Sequence, residues 1–291
     1  MSSTPLPVAV ITYGHPPDMV REALSPALKL QADGFALTPW IVDDCSGRAP
    51  RLPGVNTVTT PGNGGYAAAV NFAATTLAAD AERIVFVNPD ASMDLDAFRA
   101  LVTCRSRAAV VVPSIPHGPR LENVRRVLTA SQVLLMLVLP RLARQALLPR
   151  AEVPLRTDLG SGWVPAGTIA SFDAAHLRAH PLRPEMFWIE MSSWARDNPR
   201  AGVEVLPVVA SHTGASSKEQ AAAKVTASQL AAYTAYLHAY GNPMERALLP
   251  VAFVLGRLVQ LACRRLSVRG TAELFRLYRG ESSWQSIRTL R

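Results

Sequence analysis

Over the first hundred positions, short unbroken apolar runs alternate with stretches in which apolar residues return every three or four positions. The pattern predicts strands over Pro7 to Thr12, Trp40 to Val42, Val55 to Thr59 and Ile84 to Val87, with helices over Met19 to Ala32 and Ala67 to Leu77. This β-α-β rhythm predicts an α/β chain whose sheet is mainly parallel and covered on both faces. Ligands of such sheets bind at the carboxyl ends of the strands. Asp43-Asp44 and Asn88-Pro89-Asp90 fall at two such ends, which makes them the first pointers to a site.

Further along, Ala108 to Val112 reads as a strand, Pro113 to Pro119 as a loop and Val124 to Leu148 as a strongly apolar helix, so that 101–160 has the character of an insertion or lid. A strand-like element follows Gly162, then a Pro-punctuated loop, Phe187 to Arg196, and a strand over Val203 to Val209 that ends at Ser211-His212. Helices complete the chain. The apolar run from Leu248 to Cys263 is about 16 residues long and is interrupted by Arg257, short of the ~20 that span a bilayer. With Arg246, Arg264, Arg265 and Arg269 on its flanks it reads equally as a packed helix or as one lying on a membrane surface.

Composition narrows the classes. A chain of 291 residues, 49% hydrophobic, buries a substantial core, and its formal charge of +8 favours an anionic partner. No zinc-finger spacing, basic-aromatic RNA motif or recognition helix is present, which argues against nucleic acid and leaves lipid headgroups and phosphorylated substrates. Cys45, Cys104 and Cys263 are widely separated, so neither a disulfide framework nor a zinc site is signalled. That usage, with no basic region and signal-peptide core before Val8, predicts a cytoplasmic protein.

Four motifs occur in order over about eighty residues: Thr12-Tyr13; Ile41-Val42-Asp43-Asp44-Cys45-Ser46; Asn63-Gly64-Gly65-Tyr66 followed by Asn71; and Val87-Asn88-Pro89-Asp90-Ala91. With Val164-Pro165-Ala166-Gly167, the Phe187 to Gly202 region, and Val209 to His212 with Ser216, they resemble the family 2 glycosyltransferases over roughly 6–220, and within them the rhamnosyltransferase-like group acting on bacterial envelope polymers. The resemblance implies a glycosyltransferase A-type fold (Rossmann-like), with a nucleotide-sugar-binding half over 1–100, the insertion over 101–160, an acceptor half over 161–220 and a helical region over 221–291. It also implies a nucleoside-diphosphate sugar donor, a divalent cation (Mg²⁺ or Mn²⁺), a glycan or polyprenyl-linked acceptor and inverting transfer. Charge and family together place it at the inner face of the cell membrane, with an anionic membrane surface as a further partner; the oligomeric state is left open, a homo-oligomer included.

The residue types suit these tasks. Asp43 at a strand end can accept hydrogen bonds from a nucleobase imide or a ribose hydroxyl, or else cap a turn; Asp44 has the weaker claim, since the family carries a non-acidic residue there. Asn63 and Gly65 belong to a turn that lets backbone approach a ligand, after which the helix offers its amides to a phosphate. Asn71 reads as a nucleotide contact or as a tie to a neighbouring loop, and Thr12 lies with the donor-binding set. Asp90, presented by a rigid Asn-Pro, is placed to hold a cation that bridges the donor diphosphate. His212 stands where the family often has a metal- or phosphate-binding His.

The acceptor's base is less plain. In the family it is the Asp of a Glu-Asp pair, and ungapped alignment puts Glu190 on the Glu, Met191 on the Asp and Ser193 on a second common Asp. Met cannot take a proton. Either Glu190 serves as base, directly or by a shift of register, or another residue does, or the protein keeps the fold as a non-catalytic nucleotide-sugar-binding or scaffold protein. Phe187, Trp188, Trp194 and Trp163 read as core or as a sugar or lipid platform. A nucleotidyltransferase is disfavoured by the lack of a glycine-rich Lys/Arg phosphate loop near the N-terminus.

Overall fold

The computed structural model describes residues 4–117, 120–121, 124–138, 157–158, 162–165, 168–186, 189–212 and 222–262. The chain forms two compact units: Met1–Val127, Arg150–Pro184 and Met191–Ser216 in the first, and Leu128–Pro149, Glu185–Glu190 and Ser217–Arg291 in the second.

The first unit is built on a sheet. Strands β1 (Leu6–Thr12), β2 (Leu37–Asp43), β3 (Asn56–Thr59) and β4 (Arg83–Val87) run parallel in the order β3-β2-β1-β4, joined through helices α1 (Pro17–Ala32) and α2 (Gly65–Thr76). Strands β1 and β4 are Val- and Ile-rich because both sheet faces are covered there, whereas β3 at the edge is largely exposed. Alternate residues serve opposite cores: Ala9, Ile11, Ile84 and Phe86 pack in one cluster, Val8, Val10, Val85 and Val87 in the other.

Beyond β4 come β5 (Ala91–Met93), helix α3 (Leu95–Thr103), β6 (Val110–Ser114) and two small elements, β7 (Pro116–His117) with β8 (Arg120–Leu121) and β9 (Val124–Arg126). Then follow α4 (Ala130–Val138), β10 (Thr157–Asp158), β11 (Trp163–Pro165), β12 (Ile169–Asp173) and β13 (Val203–His212). The main sheet continues β4-β12-β6-β13-β10, with β5 added against β13. It is therefore mixed: β12 runs antiparallel between β4 and β6, a return strand that composition alone does not distinguish from a parallel one.

Two further features differ from the sequence pattern. The long helix expected from Val124 begins only at Ala130, because Val124–Arg126 pairs antiparallel with Trp163–Pro165, a partner far away in sequence; its stretch 139–148 lies outside the described residues. Helix α3 is absent from the sequence expectation, although Asp94 caps it by accepting from Ala97 N at 2.7 Å.

The second unit is helical among the described residues. Leu128, Val133 and Leu137 pack with Met186, Ile189, Tyr236 and Leu237, and with Leu249, Ala252 and Phe253 of the helix Pro243–Ala262. That helix starts with a reciprocal cap: Asn242 N donates to Glu245 Oε2 and Glu245 N to Asn242 Oδ1, both at 2.9 Å. It crosses α4 so closely at Gly256 that a Cβ there would overlap the carbonyl oxygen of Leu137. Among the described residues no helix is long and apolar enough to cross a membrane.

Candidate functional site

The carboxyl ends of β1, β2 and β4 share one edge of the sheet, with Thr12 in register with Asp43 and Val10 with Val87. Asp43 is buried there, and its carboxylate accepts from Ser46 N at 3.3 Å, Gly47 N at 3.0 Å and the Ser46 hydroxyl. Its own turn thus fixes its orientation. Within that turn Cys45 adopts φ 56°, a left-handed conformation that non-glycine residues seldom hold.

Asp44, the weaker candidate by sequence, has a defined structural task. Its Oδ1 accepts from Gly64 N at 3.0 Å and from the Thr60 hydroxyl at 3.2 Å, and its Oδ2 accepts from Gly65 N at 2.8 Å. The carboxylate caps α2 from the end of a different strand. Gly65 takes φ 76°, and a Cβ on Gly64 would overlap that of Ala68, so the turn needs glycine at both places. The sequence pattern offers these amides to a phosphate; in the structure two of them are donated to Asp44, while the neighbouring Asn63 is half-buried. Asn71 realises the second of its alternatives. Its amide donates to Leu182 O at 2.7 Å and its carbonyl accepts from Leu182 N at 2.8 Å, tying α2 to the loop that follows the helix Ala174–Ala179.

Asp90 and His212 come together although 122 positions separate their numbers in the chain. Pro207 lies within an irregularity of β13 between Leu206 and Val209, where pairing with β6 shifts register. Beyond it the strand tip pairs antiparallel with β5, His212 opposite Ala91, and the Ser92 and Ser211 hydroxyls meet at 2.7 Å. His212 Nε2 then lies 3.3 Å from Asp90 Oδ1, each side chain 15% exposed. The hydrogen bond from His212 holds the Asp90 carboxyl below its usual value, against the opposing effect of burial.

A further residue of this edge has no motif to mark it in the sequence. His15 Nδ1 accepts from Tyr13 N at 3.1 Å and lies 3.0 Å from the Thr12 hydroxyl, which itself accepts from His15 N at 3.3 Å. Two donors directed at Nδ1 leave the ring proton on Nε2. Burial pushes the His15 pKa down, and the Asp90 charge partly restores it, so the two side chains sense each other. The available signal is a His two positions beyond Thr12-Tyr13 at a strand end.

The acceptor-side residues are distributed differently. Glu190 opens the helix Glu190–Asp197 and falls in the second unit, half-buried; Met191 packs in a core of the first, and Ser193 is fully buried. Trp194 is a core residue whose indole N–H donates to His180 O at 2.8 Å. Trp163 is half-buried, with the Arg126 guanidinium 5.2 Å from its ring centroid. Ala166, Gly167, Phe187, Trp188 and Ser216 lie outside the described residues, as do the tail residues Arg264, Arg265, Arg269, Arg276, Arg279 and Arg288.

An acidic oxygen beside an imidazole suits Mn²⁺, and Mg²⁺ or Mn²⁺ at nucleotide sites takes few protein ligands, with phosphates and waters completing the shell. The Asp90–His212 pair fits that donor set. Among the described residues no group of three His, Cys, Asp or Glu side chains gathers to hold a metal.

No protein-family model matches the chain, and no curated protein matches it. Solved structures do. One is GalNAc-T7 with UDP, GalNAc and Mn²⁺, at TM-score 0.50 and 12% identity, covering 72% of this chain and 44% of that one. Another is the mannosyltransferase PcManGT from Pyrobaculum calidifontis in complex with GDP-Man and Mn²⁺, at TM-score 0.50 and 17% identity, covering 98% and 85%. This chain thus matches somewhat under half the length of GalNAc-T7. It has the glycosyltransferase A-type fold, followed by C-terminal helices.

Proposed function

We propose that this chain transfers a sugar from a nucleoside-diphosphate donor to a hydroxyl of a glycan or polyprenyl-linked acceptor. The observation that carries the proposal is the Asp90–His212 pair at the carboxyl edge of a glycosyltransferase A-type sheet. Both similar structures were solved with Mn²⁺ and with a nucleotide or nucleotide sugar, which supports the same class of ligand here.

In this reading Asp90 and His212 would hold a divalent cation. When bound, the cation neutralises charge on the departing nucleoside diphosphate. Asp43 and Thr12 would contact the nucleotide, and the bonds of Asp44 to Gly64 and Gly65 keep that edge of the sheet rigid. Glu190 accepts the proton of the acceptor hydroxyl as its oxygen bonds to the anomeric carbon, while the bond from that carbon to the diphosphate breaks. Displacement in one step inverts the anomeric centre. The motif pattern supports a family 2, rhamnosyltransferase-like enzyme of envelope glycan synthesis, and the positive charge supports its working at the cytoplasmic membrane face.

A second reading has one specific observation in its favour. In the ungapped alignment Met191 falls on the family's base, and it is packed in a core, so in that register no side chain there can take a proton. A chain that binds donor but does not turn it over matches that observation.

Calorimetric titration with UDP-, dTDP- and GDP-sugars, with and without Mn²⁺, tests the site. Metal-dependent binding of one donor that Asp90→Ala removes supports the transferase reading, and donor hydrolysis or transfer that Glu190→Gln abolishes assigns the base. Binding without turnover in the wild type identifies the non-catalytic protein; no binding of any donor sinks both.

A further inference from the structure

The helix Pro243–Ala262 is apolar on its exposed side as well as on the side where Leu249, Ala252 and Phe253 pack into the core. Its charged Arg257 is 1% exposed, with the guanidinium 5.3 Å from the Phe253 ring centroid, and Glu245 is buried. Met244, Leu248, Val251, Val254, Leu255 and Leu258 are instead 42 to 67% exposed. Every exposed residue from Ala247 to Leu258 is apolar. Their spacing puts them on one stripe, which at about 1.5 Å per residue runs roughly 21 Å from Met244 to Leu258.

Charge is segregated onto the same part of the chain. Residues 222–291 hold ten Lys and Arg against three Asp and Glu, so seven of the chain's eight net positive charges belong to this quarter of it, and 1–221 is close to neutral. An apolar stripe joined to a strongly cationic segment is the pairing that an anionic bilayer surface rewards: the apolar face enters the acyl boundary while the cations meet the headgroups. A helix-pairing seam between two copies is narrower and flanked by complementary charges. Here the exposed face widens through Val254, has no polar residue over 247–258, and would bring two cationic segments together. Among the described residues no helix is long and apolar enough to cross a membrane, so an apolar face of this one that meets lipid would lie in the plane of the interface.

We propose that the exposed face of the helix Pro243–Ala262 docks this chain on an anionic phospholipid surface. This deepens the membrane-face placement proposed above by naming the docking surface, and it does not depend on the transfer chemistry, because the surface belongs to the second unit and involves no donor-site residue.

Co-sedimentation of the full chain with vesicles of phosphatidylcholine alone, or mixed with phosphatidylglycerol, at low and high salt, tests it. Wild type is expected to bind the anionic vesicles at least about tenfold more tightly than the neutral ones, with the preference eroded by salt. The triple variant Leu248→Ser, Val251→Ser, Leu255→Ser is expected to lose at least about tenfold in binding to anionic vesicles, with unchanged thermal unfolding, because the replaced side chains are exposed. A single Leu255→Trp variant adds a direct readout: the fluorescence of the introduced indole shifts to shorter wavelength on anionic vesicles and is quenched by lipids brominated on their acyl chains. Equal binding by wild type and the folded triple variant overturns the proposal, as does emission from the Leu255→Trp variant that neither anionic vesicles nor brominated lipids alter. A wild-type dimer in sedimentation equilibrium that the triple variant dissociates overturns it too, by assigning the stripe to a second copy.

Discussion

His212 Nε2 lies 3.3 Å from Asp90 Oδ1, and the register that pairs His212 with Ala91 holds them there. If both side chains grip one cation, their replacements are not independent. Asp90→Ala and His212→Ala are each expected to weaken Mn²⁺-dependent donor binding by about 100-fold, with the double variant little worse than either. Calorimetric cycles measure this; strictly additive losses would show that the two act separately.

Asp44 predicts a structural effect of its own. Asp44→Ala leaves the amides of Gly64 and Gly65 without their acceptor and is expected to lower the unfolding free energy by about 1–3 kcal/mol. Gly65→Ala forces a side chain into φ 76° and is expected to cost about 1–2 kcal/mol. Urea unfolding reads both, and wild-type midpoints for Asp44→Ala would remove its anchoring role.

The ring proton of His15 is expected on Nε2 at neutral pH, a tautomer that ¹⁵N–¹H correlation spectra distinguish directly. Burial places its titration below the ordinary 6.5, and Asp90 raises it. In Asp90→Asn the midpoint therefore falls further. A midpoint that rises in the variant contradicts the assigned coupling.

Acid sensitivity follows from the same sign. His15 and His176 both have pKa values lowered in the folded chain, chiefly by burial, and His176 Nε2 is buried without a hydrogen-bond partner. The unfolded chain binds these protons more tightly, so the stability they support is intact above pH 6.5 and is lost as the pH falls below it. His176→Leu is expected to flatten that part of the profile, as followed by urea midpoints between neutral and mildly acidic pH.

In the second unit, Gly256→Ala drives a methyl group into the backbone of Leu137. The expected loss is about 1–3 kcal/mol, seen as a lower Tm; an unchanged Tm would mean that the helices separate freely at that point.

Most of the sheet is legible in the sequence because its strands are short, apolar and bounded by turns. What escapes depends on partners remote in sequence. Val124–Arg126 looks helical until Trp163–Pro165 lies beside it, and the direction of β12 is set by where the chain returns, which no local pattern encodes. In the candidate site the same division holds. The sequence reading names Asp90 and His212 as metal contacts, but not the register shift of β13 between Leu206 and Val209, beyond which the strand tip pairs with β5 beside Asp90. Asp44 ranks low as a ligand contact because the family pattern has no acid there, and its bonds to the Gly64 and Gly65 amides and the Thr60 hydroxyl have no sequence signature. His15 stands outside every motif.

Strand β4 carries one last consequence. Its neighbours are β1, from the start of the chain, and β12, over Ile169–Asp173. While the chain is being synthesised, Ile84 to Val87 has only one side of its backbone satisfied until residue 173 has left the ribosome. For that interval the nascent protein displays a sticky apolar ribbon, the kind of edge to which other chains add. A fragment that stops short of β12 carries that exposure permanently and belongs in the aggregate fraction, so strands β1 to β4 cannot be harvested as a free-standing module.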